Sequence, residues 1–182
     1  MNGNAYWLFG GLFIVHVSGH DTDGRFSLVE EVQAPGFWTP LHVHRGAGQA
    51  HYVLEGEAIF HLPGESSTVG PGECGYGPIN VPHTEQATSA EPLQQLVVTS
   101  PAGFEEFIVA AGEPAAELTL LPSDRPPPDF ERLAALLRNT TSRFWARPER
   151  CRSSTLFTYL PRGSVLRNWQ TADNCYSAYL GH

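Results

Sequence analysis

Two histidines stand on either side of one residue in Pro40-Leu41-His42-Val43-His44, and a third, His83, follows Pro82 further along the chain. Side chains alternate across an extended segment, so a His-x-His pair presents both imidazoles to one side, where they can share a metal ion. His83 ends the stretch Pro71-Gly72-Glu73-Cys74-Gly75-Tyr76-Gly77-Pro78-Ile79-Asn80-Val81-Pro82-His83. Its glycines and prolines read as turn, short strand, turn and strand start, a path that can bring the third imidazole to the same point. Counting back by twos from the inward positions Val53 and His51 reaches Gln49, so the side chains of Gln49 and His51 should enter the same cavity.

Those residues need strands to hold them, and the surrounding pattern supplies strands. Leu8 to Val17 is rich in Leu, Phe, Ile and Val around Gly10-Gly11 and reads as two short strands or one bent strand. Phe26, Leu28, Glu30 and Val32 alternate with Ser27, Val29 and Glu31 until Ala34-Pro35-Gly36 stops the run. Gln49 to Leu54, Ala58 to Leu62 and Val97 to Thr99 read as further strands between turn clusters. Short strands at regular spacing indicate an antiparallel sandwich or a small barrel. After Pro101 the period changes: Phe104, Phe107, Ile108 and Ala111 recur at helical spacing, and Gly112 is placed to end a short helix covering the barrel. Pro122 to Pro128 is a connector, and Asp129 is placed as the N-cap of a second helix running to about Arg138.

Composition narrows the function classes. At 182 residues and 41% hydrophobic, the chain can bury one sizeable core. Charge is uneven: residues 1–142 hold 5 Arg against 17 acids, a net of -12, while residues 143–182 hold 6 Arg against 2 acids, a net of +4, and there is no lysine. An acidic body argues against nucleic acid as a partner. The apolar run Tyr6 to Val17 is too short to span a bilayer, and no Lys or Arg precedes Arg25 as a signal peptide would need. No membrane association is expected. Cys74, Cys151 and Cys175 are odd in number and lack CxxC spacing, so a reduced, cytoplasmic protein is expected.

With these residues in view, the chain resembles a single-domain cupin of the cupin type 2 class. Gly36, His42, His44 and Gly56 match the first cupin motif, with Gln49 at its glutamate position. Gly72, Pro78 and His83 match the second, with Asn80 in place of a glycine and Ala87 in place of the final Asn. Asn80 is a mild departure, because Asn tolerates the left-handed backbone that glycine supplies. The helix and Gly-Glu-Pro end within Gly103 to Pro114, and the connector and helix up to Leu137, are similar to those of quercetin 2,3-dioxygenase-like monocupins.

The resemblance implies an all-β fold, a double-stranded β-helix (jelly-roll) barrel with one or two C-terminal helices. It divides the chain into a barrel with its covering helix at 1–120, a proline connector and C-terminal helix at 121–138, and an atypical tail at 139–182. It implies one divalent transition metal (Fe, Mn, Co, Ni or Zn) held by His42, His44, Gln49 and His83. It also implies a small aromatic or enolic, flavonol-like substrate and, since such barrels often pair, a homodimer. Gln49 and His51 are the candidate catalytic residues. His51 stands as a partner of the ligands, a substitute for one, or filler of a space an aromatic core residue would take. Gln49 carries no charge and takes up no proton at neutral pH. Three neutral imidazoles and an amide leave a divalent ion its full +2 charge, which favours an anionic ligand and a more acidic bound water. The functions that follow are a dioxygenase or related oxidoreductase, a metal-assisted lyase, isomerase or cyclase, or a non-catalytic binding cupin. Trp7, Phe13, Phe26, Trp38, Tyr52, Phe60 and Tyr76 are expected to line the barrel.

Overall fold

Period-two burial runs through most of the chain and builds an antiparallel barrel. The computed structural model describes residues 4–39 and 41–121. The expected helix from Asp129 to Arg138 and the tail at 139–182 lie outside the described residues. In chain order the strands are β1 Ala5–Leu8, β2 Gly11–Val17, β3 Ser27–Gln33, β4 Gly48–Glu55, β5 Ala58–Leu62, β6 Glu65–Val69, β7 Cys74–Gly77, β8 Thr84–Ala87, β9 Leu93–Ser100 and β10 Glu113–Pro114. Helix α1, Phe104–Ala111, lies between the last two.

One sheet runs in the order β10-β1-β2-β3-β9-β4-β7 and the other in the order β6-β5-β8, all antiparallel. Several neighbouring strands of the first sheet are far apart in sequence, as a jelly roll requires. The apolar run Leu8 to Val17 resolves into the β1–β2 hairpin, because Phe9 and Gly10 both take positive φ and reverse the chain. The strand β6 was not read from the sequence. Its residues Glu65 to Thr68 are exposed, so it carries no alternation to detect.

Among the described residues, two larger apolar clusters stand beside a small one of Ala5, Leu12 and Ala115. One joins Phe13, Val29 and Val97 to Phe104, Phe107 and Ile108 of α1, so the helix closes this part of the barrel. The other gathers Val53, Ala58, Phe60, Val69, Ala87 and Leu93. Each large side chain buried in this way contributes roughly 1.5–3 kcal/mol. Gly112 ends α1 as expected, but by steric fit and not by a left-handed turn. Its φ is -78°, and a Cβ there would stand 2.7 Å from the Ile108 carbonyl oxygen.

The aromatic lining needs correction. Phe13 and Phe60 are buried, but Phe26, Trp38, Tyr52 and Tyr76 are 40–53% exposed. For Tyr52 the cause is strand parity: with His51 and Val53 inward, it must face outward. Tyr76 pairs with Ala50, another outward position of β4. Trp38 instead stacks on His61, ring centroids 5.2 Å apart. No helix among the described residues is long and apolar enough to cross a membrane.

Candidate metal centre

His42 and His83 exchange both backbone hydrogen bonds, His42 N donating to His83 O at 3.0 Å and His83 N to His42 O at 2.9 Å. Residues paired in this way lie directly opposite one another with their side chains on one face. That pairing, not proximity in sequence, brings the third histidine to the first two. His44 joins from the same face of its segment, and its carbonyl accepts the backbone N–H of Asn80, whose φ of 63° is the left-handed conformation expected at this position. Ring centroids stand 4.4 Å apart for His42–His83, 4.8 Å for His42–His44 and 5.4 Å for His44–His83. One ring nitrogen from each lies within 4.8 Å of the other two, a spacing that can hold a metal ion.

His83 is oriented for that role. Its Nδ1–H donates to the Val81 carbonyl at 2.9 Å, which leaves Nε2 as the unprotonated nitrogen. Nε2 is buried and has no hydrogen-bond partner, the condition of a ligand whose other nitrogen is held by an outer partner. Gly77 makes room for the ring, since a Cβ there would lie 2.7 Å from Nε2. Gly77→Ala should therefore displace a group it does not replace. We expect metal affinity to fall by about tenfold or more and stability by about 1–3 kcal/mol. Metal titration checks this, and an unchanged affinity would show that the ring position is not critical.

Gln49 is 2% exposed, and its Nε2 donates to Thr99 Oγ1 at 3.0 Å. Its amide also acts on the His44 ring in the sense that favours protonated imidazole. Gln49 thus faces the histidines. His51 is buried beside it, edge-on to Phe60 at 5.0 Å, and its Nδ1 stands 3.6 Å from Glu85 Oε2. Sequence reasoning missed Glu85 and its partners Glu31, Gln33 and Gln95, all buried on the inner face. Glu31 and Glu85 share with His42, Gln49, His51 and His83 a cavity of about 40 Å³, walled by Phe60, Phe104 and Phe107 among others.

Burial sets the electrostatics of this interior. It holds the His44 pKa down to about 3, with the His83 charge adding to the effect and Gln49 opposing it. Burial, then His83 and His44, likewise lower His51 to about 3, with Gln95 opposing. His83 is lowered by burial, with Val81 opposing. The imidazoles of His44, His51 and His83 are therefore neutral at ordinary pH, the form that binds metals. Burial raises Glu31 to about 7, while burial and the Glu31 charge raise Glu85 well above its usual value.

These shifts give metal-free protein a stability optimum. His44, His51 and His83, whose ordinary pKa is 6.5, take up protons more readily on unfolding, so stability is lost as pH falls below 6.5, over a range that reaches about 3 for His44 and His51. Glu31 and Glu85 hold protons that the unfolded chain releases above 4.5, so the Glu31 contribution is lost as pH rises through about 7 and that of Glu85 as pH rises through its own raised value. Melting curves of chelator-treated protein should therefore peak at about pH 6. A monotonic rise to about pH 8 would contradict this balance.

Residues 29–99 match the Cupin domain family. An uncharacterised protein of Methanocaldococcus jannaschii, MJ1618, is 32% identical over 75 residues, 41% of this chain; the matched part spans 60% of that relative. Among solved structures, TT1209 of Thermus thermophilus is 33% identical with a TM-score of 0.41, covering 43% of this chain and 74% of its own. A predicted oxalate decarboxylase of Thermotoga maritima is 22% identical with a TM-score of 0.48, covering 50% and 80%. The barrel built here has the cupin jelly-roll fold, and the stretch that matches the Cupin domain, residues 29–99, contains every histidine of the centre.

Proposed function

We propose that this cupin barrel is a metal-dependent enzyme acting on a small enolic or aromatic compound, with His42, His44 and His83 holding one divalent transition metal and Gln49 completing the set. The observation that carries the reading is the convergence of three buried imidazoles, one with its free nitrogen turned inward. Bound there, the metal supplies Lewis-acid polarisation of a carbonyl or enol oxygen. The chain does the rest. His83 is held as the neutral Nδ1–H tautomer by Val81, Gln49 is held by Thr99, and the aromatic wall excludes water.

A neutral Gln49 leaves the centre without a carboxylate among its first ligands, which favours polarisation chemistry of the lyase or isomerase kind. The cavity of about 40 Å³ admits a chelating group, not a whole flavonol ring system. A second reading is oxygenation of an enolic or flavonol-like compound, favoured by α1, which closes the barrel as in the monocupins the sequence resembles. A homodimer and a cytoplasmic location accompany either reading.

Oxygen uptake and product analysis on a panel of small enols, hydroxyketones and flavonols tests both. Turnover without oxygen uptake supports the first reading, and stoichiometric uptake the second. A protein that binds metal but turns over nothing in the panel would point to a non-catalytic binding role.

A further inference from the structure

A second set of ligand-type side chains shares the cavity. Glu31 from β3, His51 from β4 and Glu85 from β8 are 4%, 7% and 1% exposed, and each offers a donor atom within 4.8 Å of the other two. The His51 Nδ1 to Glu85 Oε2 distance of 3.6 Å is too long for a hydrogen bond. It is close to the separation of two donors that each stand about 2.1 Å from one ion. Neither ring nitrogen of His51 has a hydrogen-bond partner, nor has Glu85 Oε1.

The groups that do hold these carboxylates are neutral amides. Gln33 Nε2 donates to Glu31 Oε1 at 2.6 Å, and Gln95 Nε2 donates both to Glu31 Oε2 at 3.1 Å and to Glu85 Oε2 at 3.0 Å. Gln95 therefore ties two acids from different sheets into one orientation, as outer partners of metal ligands do. Amides orient a carboxylate without neutralising it, and buried carboxylates call for a cation.

We propose that Glu31, His51 and Glu85 form a second binding site for a divalent cation. Two carboxylates would neutralise its charge, and the oxygen-rich set suits Mn(II) or Zn(II) better than a soft ion. His51 follows Gln49, and Glu85 follows His83, by one strand period, a step of about 6.6–6.8 Å. The two ions are thus too far apart for a bridged pair, which needs about 3.5–4 Å. They occupy two mononuclear sites in one cavity. The proposal stands whether or not the histidine centre is catalytic.

The test is an ion count on the full chain, stripped with chelator and re-equilibrated with Mn(II) alone or Zn(II) alone before gel filtration. Wild-type protein should retain two ions per chain. The carboxamide variant Glu31→Gln/Glu85→Gln should retain one, and so should His42→Ala/His83→Ala, by losing the other ion. His51→Phe, which keeps a ring against Phe60, should also retain one and decides the matter if the carboxamide variant fails to fold. Any wild-type count that Glu31→Gln/Glu85→Gln and His51→Phe both leave unchanged overturns the proposal.

Discussion

Replacing His42 and His83 together by alanine should abolish metal retention at the histidine centre and remove the stabilisation that metal confers. The two residues are the paired rungs on which the site is built, with rings 4.4 Å apart, so their loss leaves His44 without its two imidazole neighbours. A ligand that binds only the folded state at about a thousand times its Kd stabilises by about 4 kcal/mol. For a domain of this size that corresponds to roughly 10 °C or more in Tm. Metal-loaded variant should therefore melt where metal-free variant melts, while wild type shows the gap. Part of any loss is structural, since truncating buried side chains leaves cavities that cost about 1–3 kcal/mol. The metal-dependent gap isolates the site from that cost. Wild-type affinity persisting in the double variant would mean that the imidazoles converge for packing alone.

The second large effect is expected from Gln49→Glu, which should move the metal-free and metal-loaded proteins in opposite directions. Without metal, the change adds a carboxylate to an interior that already holds Glu31 and Glu85, and it replaces the amide donation to Thr99. Stability at neutral pH should fall by about 1–3 kcal/mol. With metal, the same carboxylate becomes an anionic ligand of nearly the same shape, and affinity should rise by roughly tenfold or more. It also introduces a proton acceptor beside His44, so oxygenation of an enol or flavonol should increase if the barrel supports that chemistry. Calorimetric titration and melting of both forms check the opposed signs. If Gln49→Glu and Gln49→Ala are both silent in affinity, Gln49 acts only through its bond to Thr99.

Much of the centre was legible in the residues. His42 and His44 share a face because one residue separates them on extended chain, and parity carried the same argument to Gln49, His51 and Val53, all of which are buried. Parity applied consistently would also have turned Tyr52 outward, yet its aromatic character suggested lining. The helix after Pro101 was readable because Phe104, Phe107 and Ile108 repeat at helical spacing, and they now form part of the core. The left-handed Asn80 was readable because few side chains tolerate that backbone.

The face of β3 was not readable. Both of its faces carry a valine or leucine and an acid, so the binary pattern gave no sign that Glu31 and Gln33 point inward and Glu30 outward. Only the pairing of Glu31 with Gln95 on β9, and the approach of Glu85 from the other sheet, decided it. Local sequence thus determined which residues could bind a metal and which would share a strand face, because alternation is a property of a single strand. Tertiary structure decided that His83 meets His42, that the imidazoles are stripped of water, and that two acids lie beside His51. Those facts depend on pairings between segments distant along the chain and on the desolvation that barrel closure imposes, and neither is written in any one segment.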